Sequence, residues 1–230
     1  MDRKKIVVLS GAGISAESGI STFRDSDGLW ENYRVEDVAT IEAWWKNKAL
    51  VLEFYNQRRE QLKKVEPNLA HRLVADLEIF FDVTVVTQNV DDLHERAGSK
   101  RVIHLHGELT KARGENDDYY KNFEIGYKPL SLEDKSKSGG QLRPHIVWFG
   151  EAVPELGKAA DIVGKADILI VIGTSLVVYP AAGLINCTKR DCKIYLIDPK
   201  DVSANVPFEH IKEKATIGMR LLFEKLNINK

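Results

Sequence analysis

Small residues at fixed spacing follow the first apolar segment of the chain and could hold a dinucleotide. The β-branched run 6–10 leads directly into Gly11, Gly13 and Ala16. This G-x-G-x-x-A spacing matches the fingerprint in which a tight turn brings backbone N–H groups to a pyrophosphate and a small residue lets the helix pack against the strand. An ordinary glycine-rich turn uses similar residues, so the motif alone leaves both interpretations open.

The acidic residue that usually accompanies this fingerprint is missing. A dehydrogenase of this type carries an Asp or Glu about 20 positions later, at the end of a second strand, where it binds the ribose. Residues 28–34 read Gly-Leu-Trp-Glu-Asn-Tyr-Arg, which is not the pattern of a buried strand. The sequence therefore predicts a dinucleotide site whose ribose is not held in the usual dehydrogenase way.

Polar side chains follow two later apolar segments. The run 82–87 leads into Gln88-Asn89-Val90-Asp91, and the run 167–172 leads into Gly173-Thr174-Ser175. Because ligands of open parallel sheets bind outside the carboxyl ends of the strands, we expect both clusters to meet the glycine turn at one edge. Helix capping is an alternative role for one aspartate, but it does not explain the neighbouring amides.

Two histidines alternate in the predicted strand 102–108. His104 and His106 would lie on one strand face. This spacing could hold a metal, or it could combine one packed histidine with one catalytic histidine. Because no clear set of further ligands accompanies the pair, the sequence favours the second interpretation and predicts no metal site.

Tyr55 and Arg58 lie three residues apart in a helical segment and would share one helix face. A guanidinium pairs with a carboxylate through two parallel hydrogen bonds, and a tyrosine hydroxyl can add a third donor. The pair could therefore read an acidic group. From spacing alone, a packed Tyr55 and a solvated Arg58 is the favoured interpretation, because exposed arginines are common.

Charge and composition exclude several classes. The chain has 33 basic and 34 acidic residues, so its net charge of −1 gives no basis for electrostatic binding of nucleic acid or membranes. No apolar run approaches the roughly 18 residues of a membrane span, and no signal region follows the basic start, so we expect a cytoplasmic protein. Cys187 and Cys192 are expected to be reduced thiols.

Apolar strands alternate with helical segments, which predicts an α/β fold with a doubly wound, Rossmann-like parallel sheet. We expect a single catalytic region over 1–230. Its expected parts are a Rossmann-like core at about 1–30, 68–106 and 144–230, a helical insertion at about 31–67, and a small, charge-dense module at about 107–143.

Five motifs, in this order, resemble those of the sirtuins, which are NAD-dependent protein-lysine deacylases. They are Gly-Ala-Gly-x-Ser-x-x-Ser-Gly-Ile-x-x-Phe-Arg (11–24), Thr-Gln-Asn-Val-Asp-x-Leu-His-x-Arg-Ala-Gly (87–98), His-Gly (106–107), Arg-Pro-His-x-Val-Trp-Phe-Gly-Glu (143–151) and Gly-Thr-Ser-Leu-x-Val-Tyr-Pro (173–180). The resemblance spans nearly the whole chain. It extends to the bacterial class III members through Asp27-Gly-Leu-Trp30 and Phe54-Tyr-Asn-x-Arg58-Arg59.

The resemblance implies which residues bind NAD. Those at the pyrophosphate and nicotinamide ribose would be Gly11, Ala12, Gly13, Glu17, Phe23 and Arg24. Those at the ribose and nicotinamide pocket would be Gln88, Asn89, Val90 and Asp91. Those at the adenosine side would be Gly173, Thr174, Ser175, Asp198 and Ala215.

The resemblance also implies the reaction. In the family, the acyl oxygen of the lysine attacks C1′ of the ribose as nicotinamide leaves, and a ribose hydroxyl then attacks the imidate. His106 would be the general base, which suits a side chain with an unperturbed pKa of about 6.5. Products would be lysine, nicotinamide and O-acyl-ADP-ribose. The partner would be an acylated lysine of another protein, bound as a strand between Val147-Trp148-Phe149-Gly150 and the segment 176–179. We expect a monomer.

The resemblance reverses the interpretation of Tyr55 and Arg58, which stand where class III members read an acidic acyl group. Succinyl- or malonyl-lysine becomes the expected substrate, with acetyl-lysine as a further candidate.

The sequence departs from the family in the small module, where two cysteine pairs usually bind zinc, because residues 110–142 contain no cysteine. We therefore expect NAD as the cofactor, no zinc, and a module held by packing and hydrogen bonds.

Three other functions compete with this one. An NAD or ADP-ribose sensor without turnover would not need His106 or the full polar cluster at 88–91. A nicotinamide dehydrogenase is disfavoured by the missing second-strand acid. A mono-ADP-ribosyltransferase would use the same site, so the sequence leaves it as an alternative.

Overall fold

The computed structural model describes residues 3–20, 29–30 and 33–228, and all structural statements refer to these ranges. Six parallel strands form the main sheet in the order β11–β10–β9–β1–β4–β5. They are β1 (Lys5–Ser10), β4 (Asp82–Thr87), β5 (Val102–His104), β9 (Ile168–Ile172), β10 (Lys193–Ile197) and β11 (Glu209–Ile211). The expected parallel α/β sheet is thus confirmed.

Helices cover both faces of this sheet. On one face, α5 (Leu69–Asp76) and α8 (Ala215–Lys225) pack against the strands through apolar residues such as Val74 and Met219. On the other face lie α7 (Leu156–Val163) and the 3-10 helix Ala181–Cys187. Because both faces are buried, the central strands are apolar throughout, and all five residues of β9 are buried.

The chain order places a crevice beside β1. After β1 the chain forms β4 and β5 on one side, and it later returns to form β9, β10 and β11 on the other side. Connections therefore leave the carboxyl ends of neighbouring strands in opposite directions, which is where ligands bind in open α/β sheets. The short helices α1 (Gly13–Ala16) and α6 (Leu93–Arg96) follow β1 and β4 at this edge.

A second layer lies beyond the crevice. It contains the two-stranded pair β2 (Leu29–Trp30) and β3 (Tyr33–Arg34), and the helices α2 (Val35–Val38), α3 (Ile41–Lys46) and α4 (Lys48–Lys64). It also contains an antiparallel sheet in the order β7–β6–β8, with β6 (Gly107–Gly114), β7 (Phe123–Glu124) and β8 (Leu142–Ile146). The helices and this small sheet share one apolar core.

Buried polar side chains tie the small sheet together and anchor it to α4. The amide of Gln141 donates to the carbonyls of Ser131, Asp134 and Leu142 at 2.8, 3.0 and 3.1 Å. Asn56, on α4, both donates to and accepts from the backbone of Leu130. Hydrogen bonds and packing thus hold the region that contains no cysteine.

Several element boundaries differ from the sequence expectation. The predicted strand 102–108 is broken, because β5 ends at His104 and β6 starts at Gly107 in another sheet. Gly107 has φ +78, and a Cβ there would lie 2.0 Å from the carbonyl oxygen of His145, so only glycine fits this bend. The edge strand β11 was not predicted.

None of the described helices combines the length and the apolar character that a membrane span needs.

Candidate functional site

A cavity of about 670 Å³ opens at the carboxyl ends of β1, β4, β9 and β10. It brings together all the predicted site residues that the structure describes. Those lining it are Gly11, Ala12, Gly13, Glu17, Tyr55, Arg58, Gln88, Asn89, Val90, Asp91, His106, Val147, Trp148, Phe149, Gly150, Gly173, Thr174, Ser175, Asp198 and Ala215. Phe23 and Arg24 lie outside the described residues.

The two glycine turns contact each other directly. Gly13 N donates to the carbonyl of Gly173 at 2.8 Å, and a Cβ on Gly13 would lie 2.6 Å from the Cα of Gly173. Gly173 has φ +64, and a Cβ there would approach Ile14 N to 2.3 Å. This backbone contact between the turns therefore requires glycine at position 13, and the expected approach of a pyrophosphate stays a prediction.

Ser15 connects two of the polar residues that follow β4. Its hydroxyl donates to Asp91 Oδ2 at 2.9 Å and accepts from Asn89 Nδ2 at 3.2 Å. Asp91 Oδ1 also accepts from Leu93 N, the first N–H of α6, at 3.2 Å, whereas the N-cap residue Asp92 makes no side-chain capping hydrogen bond. Burial raises the pKa of Asp91, although the Ser15 and Leu93 donors oppose the shift. The cluster is thus held rigidly at the wall of the cavity.

Two neutral histidines lie behind this wall. The ring of His71 meets the ring of His94 edge-on at 5.1 Å, and neither side chain is more than 1% exposed. Burial lowers the pKa of His71 to about 4 and that of His94 well below its ordinary value. His94 Nε2 lies 2.9 Å from the Ser10 hydroxyl, and His71 Nε2 lies 3.4 Å from the Ser15 hydroxyl.

His106 has the geometry of a neutral base. Its Nδ1 lies 2.9 Å from the carbonyl oxygen of Gln88, and because a carbonyl only accepts, Nδ1 carries the proton. The lone pair is then on Nε2. Burial lowers the pKa of His106, and the Gln88 carbonyl offsets part of that shift, so the ring is neutral at pH 7. A neutral imidazole can accept a proton from a hydroxyl group.

Other lining residues connect the elements around the cavity. Gln88 Nε2 donates to Thr174 Oγ1 at 3.2 Å, which links the ends of β4 and β9. The Glu17 carboxylate accepts from both Thr216 N and Thr216 Oγ1 at 2.9 Å, and so joins α1 to the first turn of α8. A carboxylate at that position also compensates the free N–H groups of the helix start.

Tyr55 and Arg58 form the wall near Trp148. Tyr55 is 1% exposed and Arg58 is 5% exposed, so the alternative of a solvated surface arginine is wrong. The Tyr55 hydroxyl accepts a hydrogen bond from Trp148 Nε1 at 2.9 Å. A buried arginine facing a cavity is costly in free energy unless an anion or hydrogen-bond acceptors compensate it.

Apolar side chains surround the mouth of the cavity. Phe149 and Tyr179 line the cavity and are 46% and 71% exposed, and Val177, next to the lining residue Val178, is 61% exposed. All three come from the two segments predicted to accept a peptide. Large exposed apolar groups that border a cavity commonly mark a binding surface.

One group among the described residues has the atoms to hold a metal. It consists of Glu95, His104 and Glu108. His104 Nδ1 is bound to the carbonyl of Asn89, its Nε2 lies 2.9 Å from Glu95, and Lys111 binds Glu108 at 2.7 Å. Burial opposes a charge on His104, but the Glu95 carboxylate outweighs it and raises the pKa of His104. Ion pairs therefore account for this group without a metal.

Several residues of the cavity wall were not predicted from the sequence. They include Ser15, Ala39, Glu151, Lys200 and Lys214. Ser15 lies inside the glycine fingerprint and Lys200 lies two residues after Asp198, so proximity to a motif could have identified both. Lys214 has no such signal, because only the fold brings the start of α8 to the cavity.

A doubly wound sheet with a G-x-G-x-x-A turn at the point where the strand order reverses is typical of dinucleotide-binding proteins. The Sir2 family model matches residues 11–180. Proteins named NAD-dependent protein deacylase from Bacteroides thetaiotaomicron and Helicobacter pylori are 57% and 54% identical to this chain, covering 88% and 97% of both chains. A solved Sir2 homologue in complex with NAD is 41% identical, with a TM-score of 0.86 over 98% of this chain and 90% of that chain. This chain belongs to the Sir2 family.

Proposed function

We propose that this protein is an NAD-dependent protein-lysine deacylase that prefers the acidic succinyl and malonyl groups. The observation that carries the proposal is the content of one cavity, which holds the glycine turns, the neutral His106 and the buried pair Tyr55 and Arg58. The first two features suit NAD and a proton transfer, and the third suits a carboxylate.

The described residues fit NAD as the bound cofactor. The cavity runs from the glycine turns to Asp198 at the end of β10, and Asn89 and Asp91 are fixed at its wall by Ser15. When bound, NAD supplies a ribose carbon that accepts the acyl oxygen as nicotinamide leaves. Asn89 and Asp91 would position the nicotinamide ribose, and the turns at 11–13 and 173–175 would contact the rest of the dinucleotide.

His106 would act on a ribose hydroxyl. Its Nδ1 proton is engaged by the Gln88 carbonyl, which leaves Nε2 to take the hydroxyl proton. Because burial keeps the ring neutral at pH 7, no prior deprotonation is needed. General-base assistance of this kind contributes about 10²–10⁴-fold to a rate.

Tyr55 and Arg58 would read the carboxylate at the far end of the acyl chain. Arg58 lines the cavity and is 5% exposed, so a carboxylate that enters the cavity would meet a guanidinium largely shielded from water. Charge-assisted hydrogen bonds of this type are worth about 1.5–3 kcal/mol each. An acetyl group ends in a methyl and gains none of this hydrogen-bond energy.

The lysine would come from another protein and enter past the exposed Phe149, Val177 and Tyr179. The segments 147–150 and 176–179 would hold its backbone as an added strand. A cytoplasmic location, a monomeric state, and the division into core, helical insertion and zinc-free module are part of the same proposal.

Single-turnover product analysis with NAD and matched acetyl-, succinyl- and malonyl-lysine peptides tests the proposal. We expect Arg58→Met to reduce the ratio of succinyl to acetyl turnover by roughly 100-fold, from the loss of one charge-assisted interaction. Arg72→Met, at an exposed position on α5, is the matched control and should retain the wild-type ratio.

Three results would oppose the proposal. If the wild type removes acetyl best and Arg58→Met keeps this order, Arg58 does not read the acyl chain. If no peptide releases nicotinamide, the sensor function gains support. Transfer of label from NAD to protein that needs His106 but no acyl-lysine would instead favour mono-ADP-ribosyl transfer.

A further inference from the structure

We propose that Trp148 is a positioning residue for acidic acyl groups, because its indole N–H sets the direction in which the Tyr55 hydroxyl donates. The proposal rests on the function proposed above and adds a residue to its specificity. Trp148 Nε1 donates to the Tyr55 oxygen at 2.9 Å. The two residues are 2% and 1% exposed, so water does not compete for this bond.

The donor and acceptor capacity of the Tyr55 hydroxyl supports this role. A phenol has one proton to donate and accepts through its lone pairs. Within the described ranges, the bond from Trp148 is the one hydrogen bond of this hydroxyl, and it uses an acceptor position. The proton remains available on a residue that lines the cavity. A carboxylate only accepts, so it is the partner that suits this arrangement.

The phenol keeps its proton under ordinary conditions. Burial raises the pKa of Tyr55 above its usual value of 10.0, and this outweighs the opposite influence of the Trp148 hydrogen bond and the nearby arginines. The hydroxyl is therefore a donor throughout the pH range in which the enzyme would work.

A rigid support holds the Trp148 indole in place. The Arg143 guanidinium lies 3.5 Å from the centre of the indole ring. Glu151 accepts from both Arg143 Nη1 and Nη2 at 2.8 Å and from Trp148 N at 2.8 Å. Burial alone would raise the pKa of Glu151, but the Arg143 hydrogen bonds outweigh it and lower the pKa, so the support stays ionised.

This role differs from simple packing in what it predicts for substrates. Loss of packing at Trp148 would impair every acyl peptide, because Trp148 lines the shared cavity. Loss of the N–H would impair chiefly those substrates whose acyl group accepts a hydrogen bond from Tyr55. The ratio of succinyl to acetyl kcat/KM therefore separates the two roles.

The experiment measures this ratio in Trp148→Phe, Tyr55→Phe and the double variant. Phenylalanine keeps an aromatic ring at position 148 and removes the N–H. We expect Trp148→Phe to lower the ratio roughly five- to tenfold, as for loss of one buried neutral hydrogen bond. In the Tyr55→Phe background, the same change should alter the ratio less than about twofold, since the proton it orients is gone.

Trp44→Phe is the matched control. Trp44 is a buried tryptophan that touches Trp148, but its Nε1 donates to Glu115 at 3.2 Å, and the residue does not line the cavity. The control should lose stability without a change in the ratio. Unfolding midpoints of all variants show that each is folded during the assay.

The results distinguish this positioning role from the proposed acyl specificity on which it rests. If the wild type does not prefer succinyl over acetyl, the acidic acyl specificity is wrong and the positioning role falls with it. If the wild type prefers succinyl and Trp148→Phe keeps the full ratio, only the positioning role is overturned. Equal effects of Trp148→Phe with and without the Tyr55 hydroxyl would also overturn it.

Discussion

The buried histidines behind the cavity should make the protein sensitive to mild acid. His71 is 0% exposed, and burial lowers its pKa from 6.5 to about 4. In the unfolded chain its pKa returns to about 6.5. Below pH 6.5 the unfolded state therefore binds a proton that the folded state does not, and the free energy of unfolding decreases as the pH falls towards 4.

The magnitude follows from the two pKa values. A fall from pH 7.5 to 5.0 lets His71 protonate almost fully in the unfolded chain but only slightly in the folded protein. This difference removes about 2 kcal/mol of stability at pH 5, and about 3 kcal/mol when the pH is well below 4. His94, whose pKa is also lowered by burial, adds in the same direction. Total stabilities are typically about 5–15 kcal/mol, so the change is measurable.

Urea unfolding at pH 7.5 and 5.0 measures the effect in the wild type, His71→Asn and Val74→Ala. His71→Asn destabilises the protein at pH 7.5, because it removes the contact with Ser15 and leaves the site imperfectly packed. The difference in the free energy of unfolding between this variant and the wild type should shrink by about 2 kcal/mol at pH 5.0, because position 71 no longer carries a histidine that can be protonated. Val74→Ala changes a buried apolar residue on the same helix, and its deficit should be the same at both pH values.

The reasoning would be refuted if His71→Asn kept the wild-type dependence of stability on pH. In that case His71 would be either solvated or already charged in the folded protein, and the account of the polar cluster beside Asp91 would need revision.

Two further predictions concern His106 and the small module. Because burial lowers the pKa of His106, kcat/KM should rise with pH through a midpoint below pH 6.5, and His106→Ala should lose about 10²–10⁴-fold. An acid limb centred above pH 7 would count against a neutral base. Gln141→Ala should lower the free energy of unfolding by about 1–3 kcal/mol, because the side chain donates to three carbonyls, whereas Gln57→Ala on an exposed face should not. A chelator should leave the unfolding midpoint unchanged. A midpoint that falls with chelator would indicate a structural metal.

The sequence was sufficient to predict those elements whose local pattern agrees with their place in the fold. The runs 6–10, 82–87 and 167–172 are largely apolar because both faces of the sheet are covered, so their strands were predicted almost to the residue. The meeting of the polar clusters at one edge followed from the topology of parallel sheets.

Other features depend on contacts between distant parts of the chain. Glycine at position 13 is explained by the backbone of Gly173, which only the folded turns bring close. The break between β5 and β6 arises because Gly107 must approach the His145 carbonyl. β11 has the sequence Glu-His-Ile, whose single apolar residue gives no strand pattern, and it is ordered by pairing with β10.

The burial of Arg58 was also beyond local pattern. Spacing on a helix shows that Tyr55 and Arg58 share a face, but it does not show whether that face meets solvent. The resemblance gave the expected role, and the fold supplies the burial that makes a charge-reading role physically reasonable. The roles assigned to the cavity-lining residues, and to Phe23 and Arg24 outside the described ranges, stay predictions.

The most direct test of the central claim is the product balance of a single turnover with NAD and a succinyl-lysine peptide. Mass spectrometry should show nicotinamide, free lysine peptide and O-succinyl-ADP-ribose in equal amounts, with all three absent when NAD is omitted. Removal of the succinyl group without NAD, or nicotinamide release with the acyl group still on lysine, would contradict an NAD-dependent deacylase.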